Sequence, residues 1–116
     1  HDEPGSHWVS MYCDIPGKKV LYYDSYGYKP QSEIDKFIKI LKNQINELFK
    51  CNDTEVKYNN VRHQFKDSEC GIYSMLFILN MLNGKDFNNY ITRTKLDDDS
   101  VHKNRARWWI PSRKLI

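Results

Sequence analysis

The feature that most constrains the fold is the segment Cys70–Leu82, in which almost every side chain is apolar. It is shorter than the roughly 18 residues that a membrane-spanning helix needs. The Asn83-Gly84 pair after it is typical of a helix C-terminus, because glycine readily adopts the left-handed conformation found there. A helix that is apolar on nearly every side is usually buried on nearly every side. The sequence therefore predicts a buried central helix from Cys70 to Leu82.

Patterns earlier in the chain predict the elements that pack around this helix. Residues 8–14 and 20–24 read as strands, and the Pro16-Gly17 turn chemistry between them predicts a β-hairpin. An amphipathic helix follows, with Ser32 expected as its N-cap. Its apolar stripe is expected to lie against the sheet and consists of Ile34, Phe37, Ile38, Leu41, Ile45, Leu48 and Phe49. Residues 55–61 predict a third strand.

Two weaker patterns follow the apolar helix. Residues 86–94 predict a short helix that packs Phe87, Tyr90 and Ile91, and residues 97–100 would cap another helix over 101–107. The order β-β-α-β-α-α predicts an α+β domain in which a small mixed β-sheet packs against the buried central helix. A length of 116 residues fits one domain. Because the chain does not begin with Met, we expect this single domain, residues 1–116, to be the C-terminal part of a longer protein.

Charge gives little support for a nucleic-acid-binding function. Eighteen Lys and Arg residues against fifteen Asp and Glu give a formal net charge of only +3. The basic tail Lys103–Lys114, with Trp108 and Trp109 within it, could make weak contacts with nucleic acid, although a solvated terminal segment is the simpler interpretation. The sequence shows neither a signal peptide nor an apolar run of membrane-spanning length, so an intracellular protein without membrane contact is expected.

The three cysteines, Cys13, Cys51 and Cys70, have neither the spacing of a disulfide framework nor that of a zinc site. No metal is therefore expected. Cys70 stands out because it lies where a polar loop becomes a helix, and the positive end of the helix dipole favours a thiolate there. Gly71 after it would let a substrate backbone come close. The alternative is a structural cysteine that behaves as a small apolar residue.

Three further side chains could complete a nucleophilic site around Cys70. The predicted hairpin brings Asp24, at the end of its second strand, near His7, which precedes the first strand. Asp24 would then orient the His7 ring as a base for the thiol. Gln64, in the loop before the helix, could donate to an oxyanion together with the Cys70 backbone N–H. Taken singly, a surface histidine, a strand-end aspartate and a solvated glutamine are the simpler interpretations.

The segments that carry this pattern are His7-Trp8, Tyr23-Asp24-Ser25 and Gln64-Phe65-Lys66-Asp67-Ser68-Glu69-Cys70-Gly71-Ile72-Tyr73. They resemble the His-Trp, Asp-Ser and Gln-x5-Cys-Gly signatures of the Ulp/sentrin-protease and adenovirus-protease superfamily, clan CE. The resemblance implies a papain-like core with the permuted order His-Asp-Gln-Cys. It makes His7, Asp24 and Cys70 the triad, Gln64 the oxyanion-hole residue and Trp8 a wall of the substrate channel. Glu69 departs from the family, whose cellular members usually carry Asp there.

The resemblance implies a cysteine endopeptidase that needs no cofactor and cleaves after Gly-Gly-type sites. Its substrates would be viral polyproteins or ubiquitin-like precursors and conjugates, and its location the cytoplasm, the nucleus or a virion. The richness in Asn, Lys and Tyr is closer to proteases of large DNA viruses than to cellular SUMO proteases. Two alternatives stay open, an acetyltransferase using the same triad and a non-catalytic module that binds a ubiquitin-like protein or DNA. His63 competes as a catalytic residue, but its place beside Gln64 favours a loop-packing or rim role.

Overall fold

The computed structural model describes residues 7–65, 70–92 and 96–108, the last five of them by their backbone alone. Within these ranges the elements are β1 (Ser10–Asp14), β2 (Lys19–Tyr23), α1 (Ser32–Phe49), β3 (Glu55–Tyr58), α2 (Cys70–Leu82), α3 (Phe87–Thr92) and α4 (Asp98–Trp108). The predicted order of strands and helices is present, and α4 is the helix predicted after residues 97–100, although it begins at Asp98. The bounds of α2 are those that the sequence predicted.

The three strands form one mixed sheet in the order β1-β2-β3. β1 and β2 pair antiparallel with Ser10 opposite Tyr23, which confirms the predicted hairpin. β2 and β3 pair parallel with Tyr22 opposite Tyr58. A parallel pair needs a crossover connection, and α1 supplies it. As a result, the start of β1 and the ends of β2 and β3 all lie at the same end of the sheet.

The sheet lies between two helical layers because alternate residues of a strand point to opposite faces. The face toward α1 buries Val20, Tyr22, Ile38 and Ile45. The opposite face carries the larger core, formed by Leu21, Tyr23, Ile72, Tyr73, Phe77, Met81, Phe87, Tyr90, Ile91 and Val101. The observed architecture is therefore a small mixed sheet covered by α1 on one side and by α2, α3 and α4 on the other.

The prediction that the whole apolar stripe of α1 lies on the sheet was wrong. Ile38 and Ile45 are buried, whereas Phe37, Leu48 and Phe49 are exposed. The helix has 18 residues and is about 27 Å long at 1.5 Å per residue, while five-residue strands span only about 17 Å. The helix therefore extends beyond the sheet. Ser32 is not the cap either, since Gln31 holds the N-cap position without a side-chain bond.

The prediction that α2 is a central helix buried on nearly every side was also wrong for the part of the chain described. Met75, Leu79 and Leu82 are exposed. They follow one another at helical spacing on the side turned away from the sheet. Apolar composition showed that α2 packs in a core, but it did not show which side the neighbouring elements cover. α2 occupies one face of the sheet, with the buried residue Cys70 at its first position.

The last two helices pack as the sequence predicted. α3 buries Phe87, Tyr90 and Ile91, and Asp97 caps α4 by accepting the Ser100 N–H at 2.8 Å. Half of the basic tail Lys103–Lys114, residues 109–114, lies outside the described residues. Among the helices that are described, none is both long enough and apolar enough to cross a membrane.

Candidate active site

His7 and Asp24 are in contact at the end of the sheet where β1 begins and β2 ends. The antiparallel register places Ser10 opposite Tyr23, so the residues just beyond the paired ends lie side by side. His7 Nε2 lies 2.9 Å from Oδ1 of Asp24, which is buried. An ionised carboxylate can only accept hydrogen bonds, so Nε2 carries the proton. Nδ1, which is shielded from solvent, is then the basic nitrogen of the ring.

Asp24 is itself held by Asn59, a buried residue that follows β3. Asn59 Oδ1 accepts the Asp24 N–H at 2.8 Å, and its Nδ2 donates to the Asp24 carbonyl at 2.6 Å. The same amide donates to the Val61 carbonyl at 3.1 Å. Because β2 and β3 run parallel, their ends lie together, and this places Asn59 beside Asp24. Asn59 therefore fixes the backbone from which the carboxylate projects.

Cys70 opens α2 and is 5% exposed. The Trp8 backbone N–H donates to its Sγ at 3.3 Å, and Ser74 Oγ, one turn further along α2, donates to the Trp8 carbonyl at 3.1 Å. The two bonds from Trp8 N to His7 Cα add at most about 3 Å, so the sulfur lies within about 6 Å of that Cα. The start of β1 is thus bound along the first turn of α2.

Trp8 lies over the beginning of α2 while 65% of its surface stays open to solvent. A Cβ placed on Gly71 would be 3.7 Å from Trp8 Cδ1, an ordinary van der Waals distance. The indole therefore covers the backbone directly after Cys70. An exposed aromatic side chain beside a buried thiol is a suitable wall for an extended peptide.

Gln64 is fully buried, and its amide orientation is set by Ser25. Ser25 Oγ donates to Gln64 Oε1 at 2.6 Å, which directs the amide NH₂ group away from that hydroxyl. The Ser25 carbonyl also accepts the backbone N–H groups of His63 and Gln64, at 2.8 and 2.9 Å. The turn after Asp24 therefore holds the Gln64 segment in place. Residues 66–69, including the family departure Glu69, lie outside the described residues.

His63 is a buried packing residue rather than a rim residue. Its Nε2 lies 3.0 Å from the Ile91 carbonyl oxygen, which can only accept, so Nε2 carries the proton. Nδ1 then accepts the Tyr23 hydroxyl at 2.7 Å. Burial lowers the pKa of His63, an effect that the bond to the Ile91 carbonyl partly opposes. A neutral imidazole with both nitrogens in use supports the loop-packing interpretation.

A second anchor reaches this loop from α4. Asp98 Oδ2 accepts the Phe65 backbone N–H at 3.0 Å. The Tyr73 hydroxyl of α2 lies 3.0 Å from Asp98 Oδ1 and 3.0 Å from the His63 carbonyl oxygen, both of which are acceptors. The residues on either side of Gln64 are therefore tied to α2 and α4.

The remaining cysteines and the acidic residues form no second site in the part of the chain that the structure describes. Cys13 and Cys51 are free thiols. Burial, with a smaller contribution from Asp14, raises the pKa of the Cys13 thiol and so disfavours its reactive form. Within the described ranges no group of three or more His, Cys, Asp or Glu side chains could hold a metal ion.

The candidate residues His7, Asp24, Gln64 and Cys70 were predicted from the sequence, but the side chains that hold them in place were not. The supporting side chains are Asn59, Arg62, Ser74 and Asp98. A parallel pairing of the strand after α1 with β2 would have placed Asn59 beside Asp24. Ser74 and Asp98 act through contacts between distant segments, for which the local sequence carries no signal, whereas Arg62 bonds to a carbonyl only two residues further along the chain.

Comparison with known proteins shows which family the chain resembles. Residues 1–113 match the model of the Ulp1 protease family, C-terminal catalytic domain. The R355 protein of Acanthamoeba polyphaga mimivirus, a thiol protease by name, is 39% identical over 98 residues, covering 81% of this chain and 31% of that protein. The cysteine protease S273R of African swine fever virus is 29% identical over 105 residues, covering 89% and 38%. In another isolate S273R is named a SUMO-1 cysteine protease.

The fold is shared with a solved structure. The crystal structure of the African swine fever virus pS273R protease superimposes with a TM-score of 0.77 at 27% identity, covering 90% of this chain and 38% of that one. The chain thus spans about a third of the length of the curated relatives it matches.

Proposed function

This chain belongs to the Ulp1 protease family, and from that premise we propose that it is a cysteine endopeptidase acting through Cys70, His7 and Asp24. One observation carries the proposal. The segment His7-Trp8 joins the Asp24 carboxylate, through a 2.9 Å bond, to the Cys70 sulfur, through a 3.3 Å bond. A base oriented by a carboxylate beside a thiol at a helix start is the arrangement that nucleophilic catalysis requires.

The first chemical step uses the two ring nitrogens of His7 differently. Asp24 accepts a hydrogen bond from the Nε2–H group, so Nδ1 is the nitrogen that acts as the base. Nδ1 takes the Cys70 thiol proton, and the thiolate attacks the carbonyl carbon of the scissile peptide bond. The carbonyl electron pair moves to oxygen and produces a tetrahedral oxyanion.

The oxyanion would be stabilised by donors at the start of α2. Gln64 supplies its amide NH₂ group, oriented by the Ser25 hydroxyl on the opposite side of that amide. The Cys70 backbone N–H, at the N-terminus of α2, supplies the second donor. His7 then protonates the leaving amine as the C–N bond breaks. Water, deprotonated by His7, releases the acyl group and regenerates the thiol.

The substrate class that we propose is a protein with a Gly-Gly-X site, in a viral polyprotein or a ubiquitin-like precursor. The support is the exposed Trp8 indole over the backbone at Gly71. An extended chain that passes beside this ring toward a buried thiol meets less obstruction if it has no side chains. The SUMO-1 protease name of one S273R relative is consistent with such a substrate.

The test is cleavage of a Gly-Gly-X peptide and of a ubiquitin-like precursor with a C-terminal extension. We expect the parent chain to cut after the second glycine, Cys70→Ala to be inactive, and the matched control Cys51→Ala to retain parent activity. A peptide with Ala-Ala in place of Gly-Gly should lose about tenfold to hundredfold in kcat/KM. Cleavage by a folded Cys70→Ala variant would contradict the proposal, and acyl transfer from acetyl-CoA without cleavage would favour an acetyltransferase.

A further inference from the structure

Arg62 lies at the centre of a stack of side chains that joins two segments of the site. Its guanidinium carbon is 5.0 Å from the Tyr26 ring centroid and 4.8 Å from the Phe65 ring centroid. Tyr26 in turn stacks on the His7 ring, with 4.9 Å between centroids. The resulting order is His7, Tyr26, Arg62 and Phe65. A planar cation between two aromatic faces is held by cation–π attraction on both sides.

Arg62 also bonds directly to the residue proposed for the oxyanion hole. Its Nε–H donates to the Gln64 carbonyl oxygen at 2.7 Å. A charge-assisted bond of this length is stronger than one between neutral groups. The Arg62 guanidinium therefore contacts the Gln64 backbone through its edge. Through its face it contacts the Tyr26 ring, which stacks on His7.

The backbones of the two segments are packed just as closely. Gly27 has a φ of +79°, and a Cβ built on it would lie 3.2 Å from the Arg62 backbone nitrogen. The turn that begins at Asp24 and the loop that contains Arg62 thus meet closely, with little space for a side chain at Gly27. The Arg62 side chain adds its contacts with the Tyr26 and Phe65 rings to this backbone packing.

We propose that Arg62 is a positioning residue that holds the Gln64 amide in register with the His7 base. The inference rests on the proposed function, since it assigns Arg62 a role in that reaction. Lysine cannot replace it, because an ammonium group has neither a planar face for two rings nor an Nε–H at the right place on its stem. Arg62 acts through Gln64 and Tyr26 and is not itself assigned a contact with the reacting atoms.

A competing role for Arg62 is direct binding of an acidic substrate side chain. The neighbouring Phe65 ring is 70% exposed, so this end of the stack borders solvent. Substrate binding and positioning make different kinetic predictions. Loss of a ground-state contact raises KM, whereas misplacement of an oxyanion donor lowers kcat.

The test compares Arg62→Lys and Arg62→Ala with the parent chain in cleavage of the Gly-Gly-X peptide. We expect kcat to fall by about tenfold to hundredfold in both variants, with KM changed by less than about threefold. Arg62→Lys keeps the charge and most of the side chain, so it tests the inference even if Arg62→Ala does not fold. Lys85→Ala is the charge-matched control, because Lys85 is exposed just beyond the far end of α2, about 20 Å from Cys70 at 1.5 Å per residue.

A second readout on the same variants is alkylation of Cys70 by iodoacetamide, followed by mass spectrometry. Alkylation forms no oxyanion, so it should stay within about twofold of the parent rate in Arg62→Lys. Parent-like kcat in that variant, a rise confined to KM, or an equal loss of alkylation and turnover would overturn the inference while the protease proposal stands. If the parent chain is alkylated at Cys70 but cleaves neither substrate, the proposed function itself fails, and the role of Arg62 fails with it.

Discussion

His7 Nε2 and Asp24 Oδ1 lie 2.9 Å apart although 17 residues separate them in the chain. The relationship follows from the β1–β2 register, which places Ser10 opposite Tyr23 and brings the flanking residues together. The same Oδ1 accepts the Tyr26 N–H at 2.8 Å, so one carboxylate oxygen is held from two directions. The orientation of the imidazole therefore depends on strand pairing, and the predictions below test that dependence.

Two substitutions of Asp24 distinguish the contribution of its charge from that of its hydrogen-bond acceptor. In Asp24→Asn the amide oxygen can still accept the His7 N–H, so we expect kcat to fall by only about tenfold, consistent with the Asn that some cysteine proteases use. Asp24→Ala removes the acceptor and leaves the ring unoriented, and a loss of about hundredfold or more is expected. Steady-state cleavage kinetics measure both, and equal losses in the two variants would contradict the orienting role.

Asn59 should be among the most sensitive buried polar residues. Asn59→Ala leaves the Asp24 N–H and carbonyl without their side-chain partners in a buried region, and we expect a loss of about 2–4 kcal/mol in the free energy of unfolding. Urea denaturation followed by circular dichroism checks this. Asn43→Ala, on the exposed surface of α1, is the matched control and should change stability by less than about 0.5 kcal/mol. Similar effects of the two substitutions would argue against the role of Asn59 in holding the Asp24 backbone.

Gly27 and Gly84 offer a paired test of the contact between the two site segments. Both have positive φ, +79° and +83°, so alanine pays a backbone cost of about 1 kcal/mol at either position. A Cβ at Gly27 also meets the backbone of Val61 and Arg62 at 3.2 Å, whereas no described atom lies within 4 Å of one at Gly84. We expect Gly27→Ala to destabilise by about 1–2 kcal/mol more than Gly84→Ala and to lower kcat as well. Thermal unfolding that ranks them in the opposite order would refute the close packing.

His63 predicts a loss of stability in mild acid. Burial lowers its pKa below the ordinary value of 6.5, so the unfolded chain takes up a proton at a higher pH than the folded chain does. As the pH falls through 6.5 toward the folded pKa, the unfolded state gains protons that the folded state does not, and stability decreases by up to about 1.4 kcal/mol per pH unit. Above that range His63 is neutral in both states and contributes no pH dependence.

The check is urea unfolding of the parent chain and of His63→Gln between pH 5 and pH 8. The variant lacks the titrating group, so its stability should fall less steeply with acid than that of the parent, whatever its stability at pH 8. Parallel curves for the two proteins would show that His63 does not titrate differently in the folded and unfolded states.

Much of the fold could be predicted because local chemistry determines it. The turn at Pro16-Gly17 fixed the hairpin, and the apolar run before Asn83-Gly84 fixed both ends of α2. Burial could not be predicted in the same way. Phe37 and Met75 are as apolar as their buried neighbours. They are exposed because they lie on parts of their helices that the sheet does not cover.

The candidate residues of the site could likewise be named from the sequence, whereas the side chains that hold them in place could not. His7, Asp24 and Cys70 belong to recognisable short motifs at defined ends of strands and helices. The partners of the Gln64 loop come from segments that lie many residues before or after it, as the bonds from Ser25 to Gln64 and from His63 to the Ile91 carbonyl illustrate. Such contacts depend on how α3 packs on the sheet, and no local pattern specifies that packing.

The most direct test of the account is labelling of the chain by a thiol-reactive probe that ends in Gly-Gly-vinyl, read by mass spectrometry of the intact protein and of its peptides. The account predicts one adduct, at Cys70, which forms at least about tenfold more slowly in His7→Ala, while Cys13 and Cys51 stay unmodified. Labelling that is spread over the three cysteines, or that proceeds at Cys70 at the same rate without the imidazole, would contradict it.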